Sequence, residues 1–454
     1  MFDTAMPDAV HDTLPDVVTD TAFPARTTVV VVGGGIIGVS TALFLAQRGI
    51  PVVLAEKGRI GGEQSSRNWG WCRTMGRDLS ELPLSIESLR LWRQMDRLCG
   101  GHTGYREAGV LYTCDTPAEM AAQEAWLDQA RQFQIEARLL RDADLAALLP
   151  GAARRFAGGL HTPSDGRAEP GRAAPAIAEG ARRLGATILT GCAVRGLETR
   201  GGRICGVVTE RGPIACDSVV LAGGAWSRLF CGSLGLDLPQ LKVLGSVLRT
   251  RPLEGLPEVA VGASDFAFRR RADGGFTVAR RGANITPLVP DSFRLFADYL
   301  PAYSKNWREL RLRLGRGFLQ DWQVPRRWAL DRASPFEQVR VLDPEPSADL
   351  LAEAKRNLTA AFPAFARMEE AERWGGLIDV TPDAIPVISP VEALPGFFIG
   401  TGFSGHGFGL GPGAGRLMAD LVAGDAPLVD PAPFRLDRFR RAAASAAALP
   451  AAAR

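Results

Sequence analysis

Four consecutive valines, Val29–Val32, form the sharpest feature of the hydrophobic pattern, and an apolar, helix-like stretch follows them across a cluster of glycines. An unbroken β-branched run reads as a strand buried on both faces. The stretch after the glycines reads as an amphipathic helix, and Val52–Ala55 reads as a second buried strand. Together they make a βαβ start. Residues 27–47 carry no charge, which approaches the ~20 residues that span a bilayer. A β-branched run followed by three glycines breaks helical continuity, so strand, turn and helix are favoured over a membrane span.

Beyond this unit the pattern alternates in texture. Residues 61–78 are rich in Gly, Ser and Asn and read as a loop lying over a bound cofactor. Helical spacing recurs at 79–98 and 117–133, with a strand at 108–112. Residues 156–161, 171–184, 187–190 and 193–198 read as strand, helix and two strands. Ser218–Leu221 is another short buried strand, and it ends in a second glycine turn containing Gly223, Gly224 and Trp226. The middle of the chain separates strands (243–250, 266–271, 275–280) from a helical segment at 291–315. Within that segment the basic run 308–316 reads as a solvated helix face, with an acidic partner or a membrane surface as the alternative. Residues 374–390 read as a proline-rich loop and 396–401 as a strand. A third glycine turn, 402–415, leads into a helix at 416–422.

This order predicts an α/β plus α+β protein: a Rossmann-like nucleotide-binding domain with an inserted antiparallel-sheet substrate domain. The nucleotide-binding part is expected at 29–105, 150–240 and 370–430, and the substrate-binding part at 106–149 and 241–369. Residues 1–28 carry Asp3, Asp8, Asp12, Asp16 and Asp20 against Arg26, lack an apolar core, and read as a flexible extension. Residues 431–454 read as a tail whose alanine-rich end frays.

Composition narrows the classes. With 46% hydrophobic and 23% charged residues the chain is an ordinary globular sequence, and a formal net charge of +3 calls for no nucleic-acid partner. The 7 cysteines include no C-x-x-C pair and read as reduced core residues of a cytoplasmic protein. The 4 histidines are scattered, and only Cys99 and His102 lie close together, so no metal site is expected.

The glycines carry the first chemistry. Gly33, Gly35 and Gly38 follow the G-x-G-x-x-G spacing directly after a strand. Gly33 permits the tight turn, Gly35 lets a pyrophosphate approach the backbone, and Gly38 lets helix and strand pack closely. The following N–H groups, including those of Ile36 and Ile37, point at the phosphates. Glu56, at the end of the second strand, is placed to accept hydrogen bonds from ribose hydroxyls, with Lys57 beside it.

Three glycine turns at the start, middle and end of the chain resemble the D-amino-acid oxidase and glycine oxidase family of flavoproteins, over residues 28–423. The resemblance implies non-covalent FAD. In that family the first turn holds the pyrophosphate, and the loop matching Ser65, Ser66, Arg67, Asn68, Trp69 and Gly70 lies along the flavin. Val194 matches the position beside adenine. The last turn places Gly405, His406, Gly407 and Phe408 at the flavin, where a helix N-terminus favours negative charge by roughly 0.3 to 2 kcal/mol. Members that attach flavin covalently use a His or Cys where this chain has Arg67 and its neighbours or Gly376. The sarcosine-oxidase branch has a substrate-gripping Lys where Gly409 stands, and an oxygen-activating Lys where only Arg280 and Arg281 lie nearby.

The reaction implied is hydride removal from the carbon beside an amine nitrogen, in an amino acid or secondary amine. Arg73, Arg280 and Arg281 are the candidate cations for a substrate carboxylate, and Trp69 and Trp71 the candidate apolar walls. His406 is the histidine suited to act as a base if the substrate is instead a hydroxy acid or alcohol. A flavin-carrying subunit of a larger complex is the third reading. The electron acceptor is O2 or a quinone or dye; an oligomer and peripheral membrane contact are both compatible with the sequence.

Overall fold

The computed structural model describes residues 15–306 and 310–439. Six short strands make one sheet: Val29–Val32 (β1), Val52–Ala55 (β2), Thr187–Leu189 (β3), Ser218–Leu221 (β4), Val387–Pro390 (β5) and Phe397–Thr401 (β6). Their spatial order is β5-β6-β4-β1-β2-β3, with every pair parallel except the antiparallel β5-β6 edge. The valines of β1 occupy the middle of the sheet, which is why a continuous apolar run was needed there.

Helix Ile36–Ala46 (α1) is buried along its whole length, flanked by Pro170–Arg183 (α2) and Gly407–Ala423 (α3). The sequence pattern started the last helix at residue 416, but it begins nine residues earlier, inside the glycine stretch. Close packing explains the difference. A Cβ on Gly415 would stand 2.4 Å from Ser40 Cβ, and one on Gly411 would stand 2.6 Å from Ile36 Cγ1. These glycines serve helix contact, not a turn. Gly38 does what its spacing predicts, since a Cβ there would fall 1.9 Å from Gly33 O.

The second sheet has ten strands. Its longest pair is Leu241–Thr250 with Glu370–Val380, antiparallel. Residues 374–380 and β5, Val387–Pro390, are strand, not the proline-bearing loop expected over 374–390. Gly375 and Gly376 lie in the ladder because Pro344 O and Gln64 Oε1 approach within 2.4 Å of where their side chains would begin. Gly158–Thr162 and Glu370–Val380, both in segments expected in the nucleotide-binding part, hydrogen-bond in this sheet. Leu310–Arg313, expected as helix, is a strand parallel to Asn284–Pro287. Its Leu-Arg-Leu-Arg alternation has period two, and Arg311 pairs with Glu353 at 2.9 Å. Residues 307–309 of that basic run lie outside the described residues.

The expected helix at 79–98 is two helices, Leu82–Trp92 and Met95–Cys99. Residues 15–28, expected as part of a flexible extension, are docked: Asp20 N donates to Ile188 O at 2.8 Å, and Val17 is buried. Residues 1–14 and 440–454 lie outside the described residues. Among the described residues, no helix is long and apolar enough to cross a membrane, no acid, His and Cys cluster suits a metal, and every cysteine is free.

Candidate active site

A cleft opens over the carboxyl ends of the six-stranded sheet, between it and Glu370–Val380. This is where open α/β sheets bind ligands. The turn after β1 forms its floor. Gly33 adopts φ +111°, and a Cβ there would meet Ala222 O at 2.4 Å. Gly35 faces open space apart from Ser65 Oγ, 3.1 Å from its would-be Cβ. No side chain caps α1, and Ile36 N finds only Ser65 Oγ, at 2.8 Å.

Gly33, Gly35, Ile36, Ile37, Glu56 and Lys57 all line the cleft, as do Ser65, Asn68 and Val194. Gly223, Gly224 and Trp226 from the second turn line it too, with Gly405, Gly407 and Phe408 from the third. Glu56 Oε2 accepts from Gly34 N at 2.6 Å and Oε1 from Gly58 N at 2.7 Å, leaving each oxygen one further lone pair. Burial raises its pKa, against the pull of Lys57. Lys57 donates to Glu63 at 2.8 Å and to Val339 O and Arg340 O, and stands 4.5 Å over the Trp226 ring.

Other expected site residues stand behind the lining. Arg67 is buried and bonded to Asp343 and Gly375 O, while Ser66 bonds Glu63 O. Gly70, at φ +77°, admits Ala168 O and Arg269 where a side chain would be. Gly376 is a ladder residue paired with Gly245. Trp69 packs beside Val247, Ala279 and Trp374. His406 caps the start of α3, with Nδ1 3.0 Å from Glu81 Oε2. Burial, then Arg77, pushes its pKa down to about 4, so it is neutral at pH 7.

Sequence reasoning missed Asp379 and Glu63. Asp379 Oδ2 accepts from Gly402 N at 2.6 Å and from Thr401 Oγ1 and Gln240 Nε2 at 3.1 Å, tying the large sheet to the end of β6. A lone acid inside the apolar run LIDV was the available signal. Glu63 accepts from Lys57, Trp226 and the Leu342 backbone.

Behind the first turn of α3 lies a cationic cluster. Trp71 packs on Trp69 and Tyr112, with ring centroids 5.3 and 6.1 Å apart. Arg281 and Arg73 stand 4.1 and 5.5 Å from the Tyr112 ring centroid. Burial alone would raise the Tyr112 pKa, but Arg73, Arg281 and Arg77 outweigh it and hold the phenol below its usual value. Arg280 is apart from this group, engaged by Glu353 at 3.3 Å and by Ser264 O. Arg77, absent from the sequence candidates, belongs to it.

A glycine-cradled cleft at the head of a mixed sheet, roofed by a second, larger sheet, defines a dinucleotide-binding protein. Residues 28–421 match the family model described as "FAD dependent oxidoreductase", DAO, and the chain belongs to that family. L-amino acid deaminase from Proteus myxofaciens, solved in complex with anthranilate, superposes with a TM-score of 0.91 at 34% identity, covering 94% of this chain and 96% of that one. Glycine oxidase of Pseudomonas aeruginosa is 26% identical, over 89% of this chain and 97% of its own length. Sarcosine oxidase subunit beta of Rhizobium meliloti is 28% identical, over 91% and 88%. The cradle fits FAD: the open face of Gly35, the uncapped α1 and the spare lone pairs of Glu56 suit a pyrophosphate and a ribose.

Proposed function

We propose that the protein oxidises the C–N bond of an amino acid, with FAD held non-covalently in the cleft. Bound FAD supplies the acceptor for the hydride that leaves carbon, while the nitrogen loses a proton and C–N becomes C=N, which water hydrolyses. The turn from Gly33 to Ile37 holds the pyrophosphate, Glu56 the ribose and Val194 the adenine, and Gly405, Gly407 and Phe408 border the flavin. No Cys or His stands at Ser65–Asn68 or at Gly376 to form a bond with it.

The carrying observation is the pair Arg281 and Arg73, two guanidinium groups on the Tyr112 ring with no carboxylate partner among the described residues. Guanidinium forks bind carboxylates bidentately. Neither arginine lines the cleft; the link to its flavin end runs through Trp71, whose ring packs on Tyr112 and whose O lies 3.0 Å from where a Cβ on Gly409, in the first turn of α3, would stand. Relatives named for glycine, sarcosine and L-amino acids support the same substrate class. The holoprotein mixed anaerobically with D- and L-amino acids, N-methyl amines and the matching 2-hydroxy acids tests it. Bleaching of the flavin bands by an amino acid, with a keto acid and ammonia as products, is expected. Bleaching by hydroxy acids alone would overturn it.

The acceptor in this reading is a quinone or dye. Oxygen reduction benefits from a free cation beside the flavin; of the two arginines nearest the place of the sarcosine-oxidase branch's oxygen-activating Lys, Arg280 is engaged by Glu353 and Arg281 is assigned to the substrate α-carboxylate, while Arg77 is buried. Phe293, Phe296, Leu300, Leu319 and Trp322, between residues 293 and 322, are all exposed, which supports peripheral contact with a membrane, where quinones reside. In stopped flow, the substrate-reduced enzyme is expected to reoxidise in aerated buffer more slowly than it turns over with dye. Faster reoxidation with stoichiometric hydrogen peroxide would make it an oxidase.

A further inference from the structure

Three guanidinium groups converge where one amino-acid carboxylate needs one fork. Arg77 is 3% exposed, and its charge acts on Tyr112 together with those of Arg73 and Arg281. Burial, then Arg73, pulls its pKa down to about 9, so it remains charged at pH 7. Its Nε donates to Arg73 O at 3.4 Å, but Nη1 is buried with no acceptor. Nη2 lies 3.5 Å from where a Cβ on Gly409 would stand, so the guanidinium fills space beside the first turn of α3. Phe408 and Gly407 of that turn line the cleft.

The nearby acids are committed elsewhere. Asp165 accepts from Thr74 N at 2.7 Å, Thr74 Oγ1 at 2.9 Å and Met75 N at 3.2 Å. Glu81 faces His406 at 3.0 Å; Glu81 and Asp165 favour the Arg77 charge through space but neither accepts a hydrogen bond from it. Arg73 otherwise donates to Met75 O and Arg281 to Ala263 O. A buried charge without a hydrogen-bonded partner is costly. After an α-carboxylate has taken the fork of Arg281 and Arg73, that of Arg77 still lacks an acceptor.

We infer that the substrate is an amino acid bearing a second carboxylate, on its side chain or on its nitrogen, and that Arg77 receives this second group. The inference rests on the amino-acid reading above and adds the substrate's charge. The α-carboxylate lies on Arg281 and Arg73 and fixes the reacting carbon, while Arg77 selects among amino acids.

The test compares kcat/KM of the holoenzyme for pairs matched in shape: glutamate with glutamine, aspartate with asparagine, each as both enantiomers, and iminodiacetate with sarcosine. Charge-assisted hydrogen bonds predict that at least one dicarboxylate exceeds its neutral partner by about tenfold or more. Arg77→Met is expected to collapse that ratio mainly through KM, and Arg77→Lys to restore part of it, with FAD content reporting on folding. If neutral amino acids bleach the flavin as well as or better than their dicarboxylate partners, this inference falls and the amino-acid reading stands. If no amino acid or amine bleaches it, both fall. The wild-type comparison decides the matter even if both variants fail to fold.

Discussion

Glu56 shows how one residue joins fold and function. Its carboxylate accepts from the Gly34 and Gly58 amides, so it shapes the glycine turn while keeping lone pairs for the ribose that we propose it binds. Glu56→Gln places an amide N–H against a backbone donor, and losing a charge-assisted bond costs roughly 1.5–3 kcal/mol. FAD affinity should fall by about 10-fold or more, with near-normal turnover at saturating FAD; unchanged affinity, read by fluorescence titration, would place Glu56 outside the cofactor site. His406 gives a pH signature. It titrates near 6.5 when unfolded and near 4 in the native protein, so between those values the unfolded chain binds more protons. Stability from this residue is therefore complete above pH 6.5 and lost as pH falls toward 4, by roughly one to three kcal/mol. Asp165 runs the other way, its pKa raised by burial to about 6, and masks the trend in the wild type. The difference between wild type and His406→Asn isolates it: the wild type should lose stability relative to the variant as urea melts move from pH 6.5 to 4.

At the scale of elements, α3 is the sharpest case. Alanine is intrinsically a better helix former than glycine by about 1 kcal/mol, yet Gly415→Ala should destabilise by roughly 1–3 kcal/mol. Its Cβ would lie 2.7 Å from backbone Ser40 C and Thr41 N of α1. Gly232→Ala, in a helix with nothing within 4 Å of the added methyl, is the control and should be neutral or stabilising in thermal melts. The same helix shows what was legible in the sequence. β1, the turn after it, β2 and β4 could be read because a strand buried on both faces leaves a contiguous apolar mark. The first half of α3 could not, because glycine tolerance comes from the neighbouring helix and leaves no local pattern. Glu370–Val380 and Leu310–Arg313 were misread for a related reason: ladder partners more than a hundred and about twenty-five residues away, respectively, override local turn and helix signals. Arg77 was invisible for a third reason. Nothing in its loop distinguishes it until folding sets it against Tyr112 and beside Gly409.

At the scale of the molecule, the cleft belongs to neither sheet alone. The six-stranded sheet supplies the glycine cradle and the ten-stranded sheet contributes Leu377, Ile378 and Asp379 to the lining; behind that lining, Arg73 and Arg77 reach the Tyr112 ring of the ten-stranded sheet. Asp379 couples the two parts, accepting from Gly402 N at 2.6 Å and from Thr401 Oγ1 at 3.1 Å, and Gln240 Nε2 donates to Thr401 Oγ1 at 2.9 Å. Arg281 follows the strand Phe276–Ala279, so the proposed substrate cation and the glycine cradle are positioned by different sheets. The central claim is that this cation takes a substrate carboxylate beside the bound flavin. Its most direct measurement is titration of the holoprotein with benzoate, a carboxylate that cannot be oxidised, followed by perturbation of the flavin absorption. Benzoate should shift the spectrum of the wild type with a saturable Kd, and Arg281→Met should raise that Kd by about 10- to 150-fold, the equivalent of losing one charge-assisted contact. A saturable shift with the same Kd in both proteins, or no flavin perturbation in either, would contradict it.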